Sequence, residues 1–326
     1  MRGVAVNWGI ISTARINRLF LGGARQSAQV RMLGVASRSQ EAADRYAREN
    51  EIERAYGSYE ALLADPEIEA VYVSLPNALH VDWSVRALEA GKHVLCEKPL
   101  SRHPSGVERA FAAADQHGRL LMEAFMFRHN PQTARVRQMV AEGAVGRLRL
   151  IRAAFSFATD DPANVRLLAG LEGGGLMDVG CYCISAIRLL AGEPERVYAE
   201  QALGGDGVDV ALAATLRLPA DVLAHFDCGL ALAPRDQLEV VGDAGSLYLS
   251  DPWHCRAPRI EWQHDGELDV VEPAPVNSYM LEAENFSAAI RGEAEPLLGR
   301  ADALGQARVI EALYRAAATG ETVAFG

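Results

Sequence analysis

Lys98 stands in the run His93-Val94-Leu95-Cys96-Glu97-Lys98-Pro99, where a short apolar stretch that reads as a buried strand gives way to a loop. In an open parallel α/β sheet, ligands collect outside the carboxyl ends of the strands. A lysine at such an end, followed at once by proline, is placed to touch a ligand. Taken alone it also reads as a solvated loop lysine, because Lys is mostly exposed. A second stretch offers it partners: Gly173-Gly174-Gly175-Leu176-Met177-Asp178-Val179-Gly180-Cys181-Tyr182. Three glycines before an apolar helix imply a close backbone approach at the helix start. Asp178 and Tyr182 are four apart, which puts them on one face of a helix. A phenol with an unperturbed pKa of roughly 10 exchanges protons poorly near neutrality, and a neighbouring ammonium lowers that value by favouring the phenolate. Lys98 can be that ammonium, with Asp178 orienting the pair. The alternative makes Tyr182 a half-buried core aromatic and Asp178 a first-turn acid favoured by the helix dipole.

A third constellation lies at the first strand-to-helix turn, Trp8-Gly9-Ile10-Ile11-Ser12-Thr13-Ala14-Arg15-Ile16-Asn17. A dinucleotide fingerprint needs small residues here so that backbone N–H groups can approach a pyrophosphate. The usual G-x-G-x-x-G/A is degraded: Ser12 and Ala14 replace the first two glycines and Asn17 the third small residue. An ordinary strand–turn–helix fits the same residues, but the turn is the first of an alternating series, where such a site belongs. The second strand ends in Ala36-Ser37-Arg38-Ser39. Where NAD would call for an acid on the ribose hydroxyls, Arg38 offers a fork of donors suited to the 2′-phosphate of NADP; a surface Arg opening a helix is the other reading.

These residues need a scaffold, and 326 residues exceed the size at which one core usually stops growing, so two domains are expected. Hydrophobic residues make up 49% and charged residues 23%, an ordinary globular profile. A net charge of −11 argues against nucleic acid as a main partner. Five cysteines without C-x-x-C spacing make no disulfide framework and fit a reducing cytoplasm. The eight histidines (His80, His93, His103, His117, His129, His225, His254 and His264) form no H-x-H or H-x-x-x-H pair, so no metal is expected. No cleavable leader is expected at the N-terminus, and no stretch is expected to reach the roughly eighteen apolar residues of a membrane span.

Along the chain, strand patterns at 4–11, 30–37, 70–75, 93–97 and 120–122 alternate with helical ones at 14–26, 39–50, 77–90 (Asn77 as N-cap) and one opened by Pro104. This alternation predicts βαβ units and a parallel sheet. After a helix from Pro131 to about residue 142, strand patterns at 148–157, 196–203, 208–218, 222–230, 237–241, 246–250 and 259–262 follow, interrupted by a helix starting near Leu176. Turn signals such as Gly204-Gly205-Asp206-Gly207 separate them, which predicts a mostly antiparallel sheet. Helices at 278–291 and 300–319 close the chain. The expected domains are residues 1–125 and 126–326, with the boundary near 123–130.

Together, Glu97-Lys98-Pro99, the preceding Leu75-Pro76-Asn77-x-x-His80 and the glycine-rich run to Asp178 and Tyr182 resemble the glucose–fructose oxidoreductase / inositol dehydrogenase (Gfo/Idh/MocA) family over nearly the whole chain. The resemblance implies an N-terminal doubly wound Rossmann domain and a C-terminal α/β domain on a large, open, mostly antiparallel sheet. That sheet commonly serves as an oligomer interface, so a homodimer or homotetramer is implied. Many members carry histidine at the Tyr182 position. The tyrosine, with Ser12-Thr13-Ala14 and Ala36-Ser37-Arg38, resembles the subgroup of dimeric dihydrodiol dehydrogenase and NADP-dependent D-xylose dehydrogenase. That likeness implies Tyr182 as general acid/base beside Lys98 and Asp178, and a cofactor site, NADP rather than NAD, lined by Ser12, Ala14, Arg15, Ile16, Ser37, Arg38, Pro76, Asn77, His80, Glu97 and Lys98.

The implied reaction is hydride transfer between NADP and a secondary alcohol or lactol carbon of a sugar or cyclic diol. Met126, Arg128, Phe157, Asn164 and Arg166 flank the domain junction and the glycine-rich run and are the expected substrate wall. Two alternatives stand beside this: a reductase of a nucleotide-linked or phosphorylated sugar, for which Arg128, Arg152 and Arg166 could supply a basic pocket, and a non-catalytic NADP(H)-binding regulator.

Overall fold

A computed structural model describes residues 5–325, so the start of the first strand pattern, Val4, lies outside the described residues. The strands β1 (Val6–Ile11), β2 (Val30–Ala36), β3 (Arg54–Tyr56), β4 (Ala70–Val73), β5 (His93–Glu97) and β6 (Leu121–Ala124) form one sheet in the order β3-β2-β1-β4-β5-β6. All its pairings are parallel. β4 and β6 are buried at every position, and β1, β2 and β5 over most of theirs, as in sheets covered on both faces. Between them lie α1 (Asn17–Ala24), α2 (Gln40–Glu49), α3 (Tyr59–Leu63), α4 (His80–Glu89) and α5 (Pro104–His117). The chain winds outward from β1 to β3, then restarts at β4 on the other side of β1. This leaves a switch point between the carboxyl ends of β1 and β4, where such sheets bind ligands.

The second sheet has nine strands: β7 (Leu148–Ala158), β8 (Arg196–Leu203), β9 (Asp209–Arg217), β10 (Leu223–Gly229), β11 (Ala231–Gly242), β12 (Gly245–Leu249), β13 (Ile260–His264), β14 (Glu267–Val271) and β15 (Val323–Ala324). Their order is β14-β13-β12-β11-β7-β10-β9-β8-β15. Only β7 and β10 pair in parallel; the other pairs are antiparallel. The helices α6 (Pro131–Ala141) and α7 (Cys181–Ala191) belong with this sheet, and α8 (Ser278–Ile290) and α9 (Arg300–Thr319) lie in the chain between β14 and β15.

Two compact units result: the described residues through Met126 with Asn277–Leu304, and Phe127–Val276 with the described residues from Gly305 on. The division into 1–125 and 126–326 contains no such return. It has a physical cause in α8: Phe286 packs at 5.7 Å from Trp8, whose indole N–H donates to Ser287 Oγ at 3.2 Å. Arg291, just past α8, donates to both carboxylate oxygens of Glu69. Trp8 also meets Phe20, which stacks on Tyr72 at 4.0 Å, so α8 completes the aromatic core of the first unit.

Several elements differ from the sequence patterns. β3 and α3 are too short to show a period. β14 is exposed along nearly its whole length, so no alternation marks it. Asn77 does not cap α4: it lies inside a 3₁₀ turn, Asn77–Leu79, that precedes the helix. Residues 169–191, contrary to the expectation, are long and apolar enough to cross a membrane by composition, yet 78% of that stretch's most apolar window is buried. Its apolarity is that of a core segment.

Candidate active site

In the first unit, the turn after β1 is fastened to two neighbouring strands. Ser12 adopts φ +123°, a region that favours glycine, so it holds the first glycine's conformation without being one. Its N–H donates to Ala36 O at 3.2 Å, and its Oγ lies 2.9 Å from Ser74 O and 2.8 Å from Ser74 Oγ. The same Oγ accepts from Ala14 N at 3.1 Å, and Asn17 Nδ2 donates to Ser12 O at 3.0 Å. Side-chain hydrogen bonds thus do what a glycine-rich sequence does elsewhere. Ala14 and Ile16 are half-buried and Arg15 is exposed on this turn. At the end of β2, Ser37 is buried and Arg38 exposed, one residue before Ser39, whose Oγ caps α2 by accepting from Ala42 N. A cation at the carboxyl end of β2, beside the N-terminus of α2, fits a phosphorylated ribose.

The Lys98 loop is held from beneath by buried acids. Glu97 accepts from the Tyr72 hydroxyl and, at 3.2 Å, from Lys98 N. Glu123 accepts from Leu100 N at 2.7 Å. The Lys98–Pro99 peptide is cis. His80 is 1% exposed, with Nδ1 2.9 Å from Pro99 O and Nε2 2.7 Å from Leu75 O. Burial pushes its pKa down, the two carbonyls oppose that, and the Lys98 charge adds to the fall. Carbonyls only accept, so the neutral ring donates to one of them at a time. His80 and Glu97 thus clamp the backbone of the Lys98 loop. Pro76, Asn77 and Lys98 are half-buried at these strand ends. Behind them lies Glu282, 1% exposed, with no hydrogen bond to either carboxylate oxygen among the described residues; burial first, then the Glu97 charge, raises its pKa.

In the second unit, Tyr182 is 8% exposed within a cage of rings. Phe155 meets it edge-on at 5.3 Å, Phe127 lies at 5.6 Å and Trp253 at 6.2 Å. The Trp253 indole is fixed by donating to Ala154 O at 3.0 Å. Asp178 precedes Tyr182 in a π turn, Leu176–Gly180, rather than in α-helix, and its carboxylate accepts from Arg166 Nε at 2.6 Å. The glycine run has an internal explanation that the sequence reading lacks. Leu176 N donates to Asp209 Oδ2 at 2.6 Å, and Tyr314 O–H to Asp209 Oδ1 at 2.8 Å. A Cβ on Gly174, which has φ +118°, would lie 2.1 Å from Asp209 Oδ1; one on Gly173 would lie 2.3 Å from Arg166 O. The close approach at this helix start is therefore made by a buried carboxylate. A lone acid opening the apolar run of β9 was the available signal.

Of the expected substrate wall, Phe157, Asn164 and Arg166 gather near Asp178. The Arg166 guanidinium lies over the Phe157 ring at 5.9 Å, and Asn164 Oδ1 accepts from Arg166 N at 3.1 Å. Arg128 donates to Ser185 Oγ at 3.0 Å, one turn of α7 beyond Tyr182. Met126 is 3% exposed and falls in the first unit. Sequence reasoning also passed over Asp236, Asp251 and His254, whose side-chain ligand atoms lie within 4.8 Å of one another.

A parallel sheet with a fastened switch-point turn, joined in one chain to a large mixed sheet carrying a caged tyrosine, defines a two-part α/β protein with a Rossmann-type sheet. Residues 6–125 match the oxidoreductase family model with NAD-binding Rossmann fold, and residues 133–248 match the GFO/IDH/MocA C-terminal domain. The chain belongs to the GFO/IDH/MocA oxidoreductase family. It is 36% identical over 321 residues to a D-xylose 1-dehydrogenase (NADP(+)) of Haloferax volcanii, covering 97% of this chain and 98% of the relative. It is 34% identical over 260 residues to a trans-1,2-dihydrobenzene-1,2-diol dehydrogenase of Danio rerio, covering 78% and 77%. A 3-ketoreductase of Actinomadura kijaniata, solved with NADP and TDP-benzene, superposes with TM-score 0.90 at 31% identity, covering 96% and 98%.

Proposed function

We propose that this chain is an NADP-dependent oxidoreductase that moves a hydride between the nicotinamide and a secondary alcohol or lactol carbon of an uncharged sugar or cyclic diol. The observation that carries this reading is Tyr182. Its ring is immobilised by three aromatic neighbours, as a proton-transfer group must be to keep its geometry. Arg38 and the Ser12–Ile16 turn would hold the cofactor's phosphates, and the relatives named or solved with NADP support that choice.

When bound, NADP would supply the hydride acceptor. In the oxidative direction Tyr182 takes the hydroxyl proton as the C–H hydride leaves, giving the carbonyl product, and the proton passes on to water. Lys98 steadies the substrate oxygen and favours the phenolate. In the reverse direction Tyr182 returns a proton to the oxygen. Asp178, with Arg166, braces the helix start from which Tyr182 projects.

An uncharged substrate is favoured over a nucleotide-linked or phosphorylated one because two arginines of a would-be basic pocket already have partners. Arg166 pairs with Asp178 at 2.6 Å, and Arg152 pairs with Glu239. The five buried free thiols support residence in a reducing compartment, the cytoplasm. The exposed sheet face, with Arg152, Glu239 and His225, supports a homo-oligomer joined through it.

The test is an absorbance assay with NADP and NAD against aldoses, inositols, 1,5-anhydrosugars and trans-dihydrodiols. NADP-linked turnover of at least one class is expected. Stoichiometric NADPH binding without turnover of any class would contradict the enzyme reading, and a clear preference for NAD would overturn the role of Arg38.

A further inference from the structure

We infer that His254, fixed by Asp236, is a substrate-contacting residue that binds a hydroxyl of the polyol away from the reacting carbon. The inference rests on the reading of Tyr182 as the proton-transfer residue and adds a second anchor to the same site. It starts from sheet register. Asp236 in β11 stands directly opposite Phe155 in β7, and residues directly across an antiparallel pair point to the same face. Phe155 is one of the rings around Tyr182, so Asp236 projects from the face that carries Tyr182. Arg235 lies one residue earlier and therefore on the other face, where it bonds Ser156 Oγ.

His254 closes over this row. Its ring meets Phe155 edge-on at 5.5 Å, so His254 and Tyr182 share Phe155 as a neighbour. Its Nδ1 lies 2.6 Å from Asp236 Oδ2, and Asp236 Oδ1 accepts from Trp253 N at 3.3 Å. Asp251 Oδ1 stands 3.8 Å from the same Nδ1, while its Oδ2 takes the backbone N–H of Arg256 and Ala257. A carboxylate on Nδ1–H fixes the tautomer and the ring orientation, leaving Nε2 as an acceptor. Among the described residues Nε2 has no hydrogen-bond partner, and the side chain is 28% exposed. An oriented acceptor beside a wall of aromatic rings suits a sugar, whose C–H faces pack on rings while its hydroxyls donate. Two carboxylates at this point disfavour a phosphate there, in keeping with an uncharged substrate.

The experiment measures KM and kcat for an aldose or diol and for analogues each lacking one hydroxyl, in the wild type, His254→Ala, His254→Gln and Asp236→Leu, with NADPH Kd as control. In His254→Ala, KM for the parent substrate should rise about tenfold, the loss of one hydrogen bond. One deoxy analogue should lose that penalty because it has no hydroxyl to place. NADPH Kd should stay unchanged, and Asp236→Leu should reproduce the pattern more weakly. Unchanged KM in His254→Ala, or an equal loss for the parent and every analogue, would overturn the inference. His254→Gln, which retains a polar group of similar reach, guards against misfolding. If the wild type turns over no polyol, the oxidoreductase reading fails; titrating the same polyols into NADP-loaded wild type and His254→Ala then decides His254, and equal or absent binding overturns it.

Discussion

The Lys98 loop and the start of the Tyr182 helix are both held rigidly, but by different forces. Around Lys98, side chains bond to backbone: Glu97 to Lys98 N, Glu123 to Leu100 N, His80 to the carbonyls of Leu75 and Pro99. Around Tyr182, rings pack on a ring, and one buried carboxylate, Asp209, straps the helix start. The first arrangement fixes where a loop's main chain runs, which suits a segment that presents backbone and a cation to a cofactor. The second fixes one side chain in space, which suits a proton-transfer group.

The largest effect should come from breaking the strap. Gly174→Ala forces a Cβ to within 2.1 Å of Asp209 Oδ1 at φ +118°, so a loss of about 4 kcal/mol or more is expected. Chemical denaturation should show it, and a change below about 1 kcal/mol would mean that the glycine run is not packed as described. Next comes the cofactor end of the first region. With Arg38 on the 2′-phosphate as proposed, Arg38→Ala should raise KM for NADP roughly 10–100-fold, about 1.4–2.7 kcal/mol, while KM for NAD stays put. Equal effects on both cofactors would leave Arg38 as a structural surface residue.

The smallest effect sharpens the polar side of the comparison. Glu282 has a folded-state pKa raised by burial and by the Glu97 charge. Below its unfolded value of about 4.3 it is protonated in both states and costs nothing. Above that value the unfolded chain gains by ionising and the folded chain does not, so stability is lost as pH rises towards the folded-state value. Glu282→Gln has no such loss. Its Tm relative to wild type should therefore climb between pH 4 and neutrality, by a few degrees at most; a pH-independent offset would show that Glu282 is ionised in the fold.

How much was legible follows the same division. The alternation of β1, β2, β4, β5 and β6 with helices could be read because buried parallel strands are continuous apolar runs, and the Lys98 loop declared itself by sitting at the end of one. Ser12 was found where glycine was expected, but its φ of +123° and its bonds to Ser74 arise from residues 62 apart, which no local pattern encodes. The second unit was less legible. The glycines before Asp178 pointed to a close approach, and only the fold shows that Asp209 makes it, from 33 residues away. The π turn is equally a tertiary product, with Gly180 admitting Cys228 Sγ where a Cβ would collide at 2.7 Å. Asp236 and His254 were hidden because they stand 18 residues apart and meet only when the segment after β12 folds back on β11.

Proton transfer by Tyr182 stands or falls with Tyr182→Phe. The ring, and with it the aromatic cage, is retained while the hydroxyl is lost. The variant should lose about 10²–10⁴-fold in kcat, with NADPH Kd within about twofold of wild type. A phenylalanine variant that keeps full turnover would contradict the account and move proton transfer to Lys98 or to water.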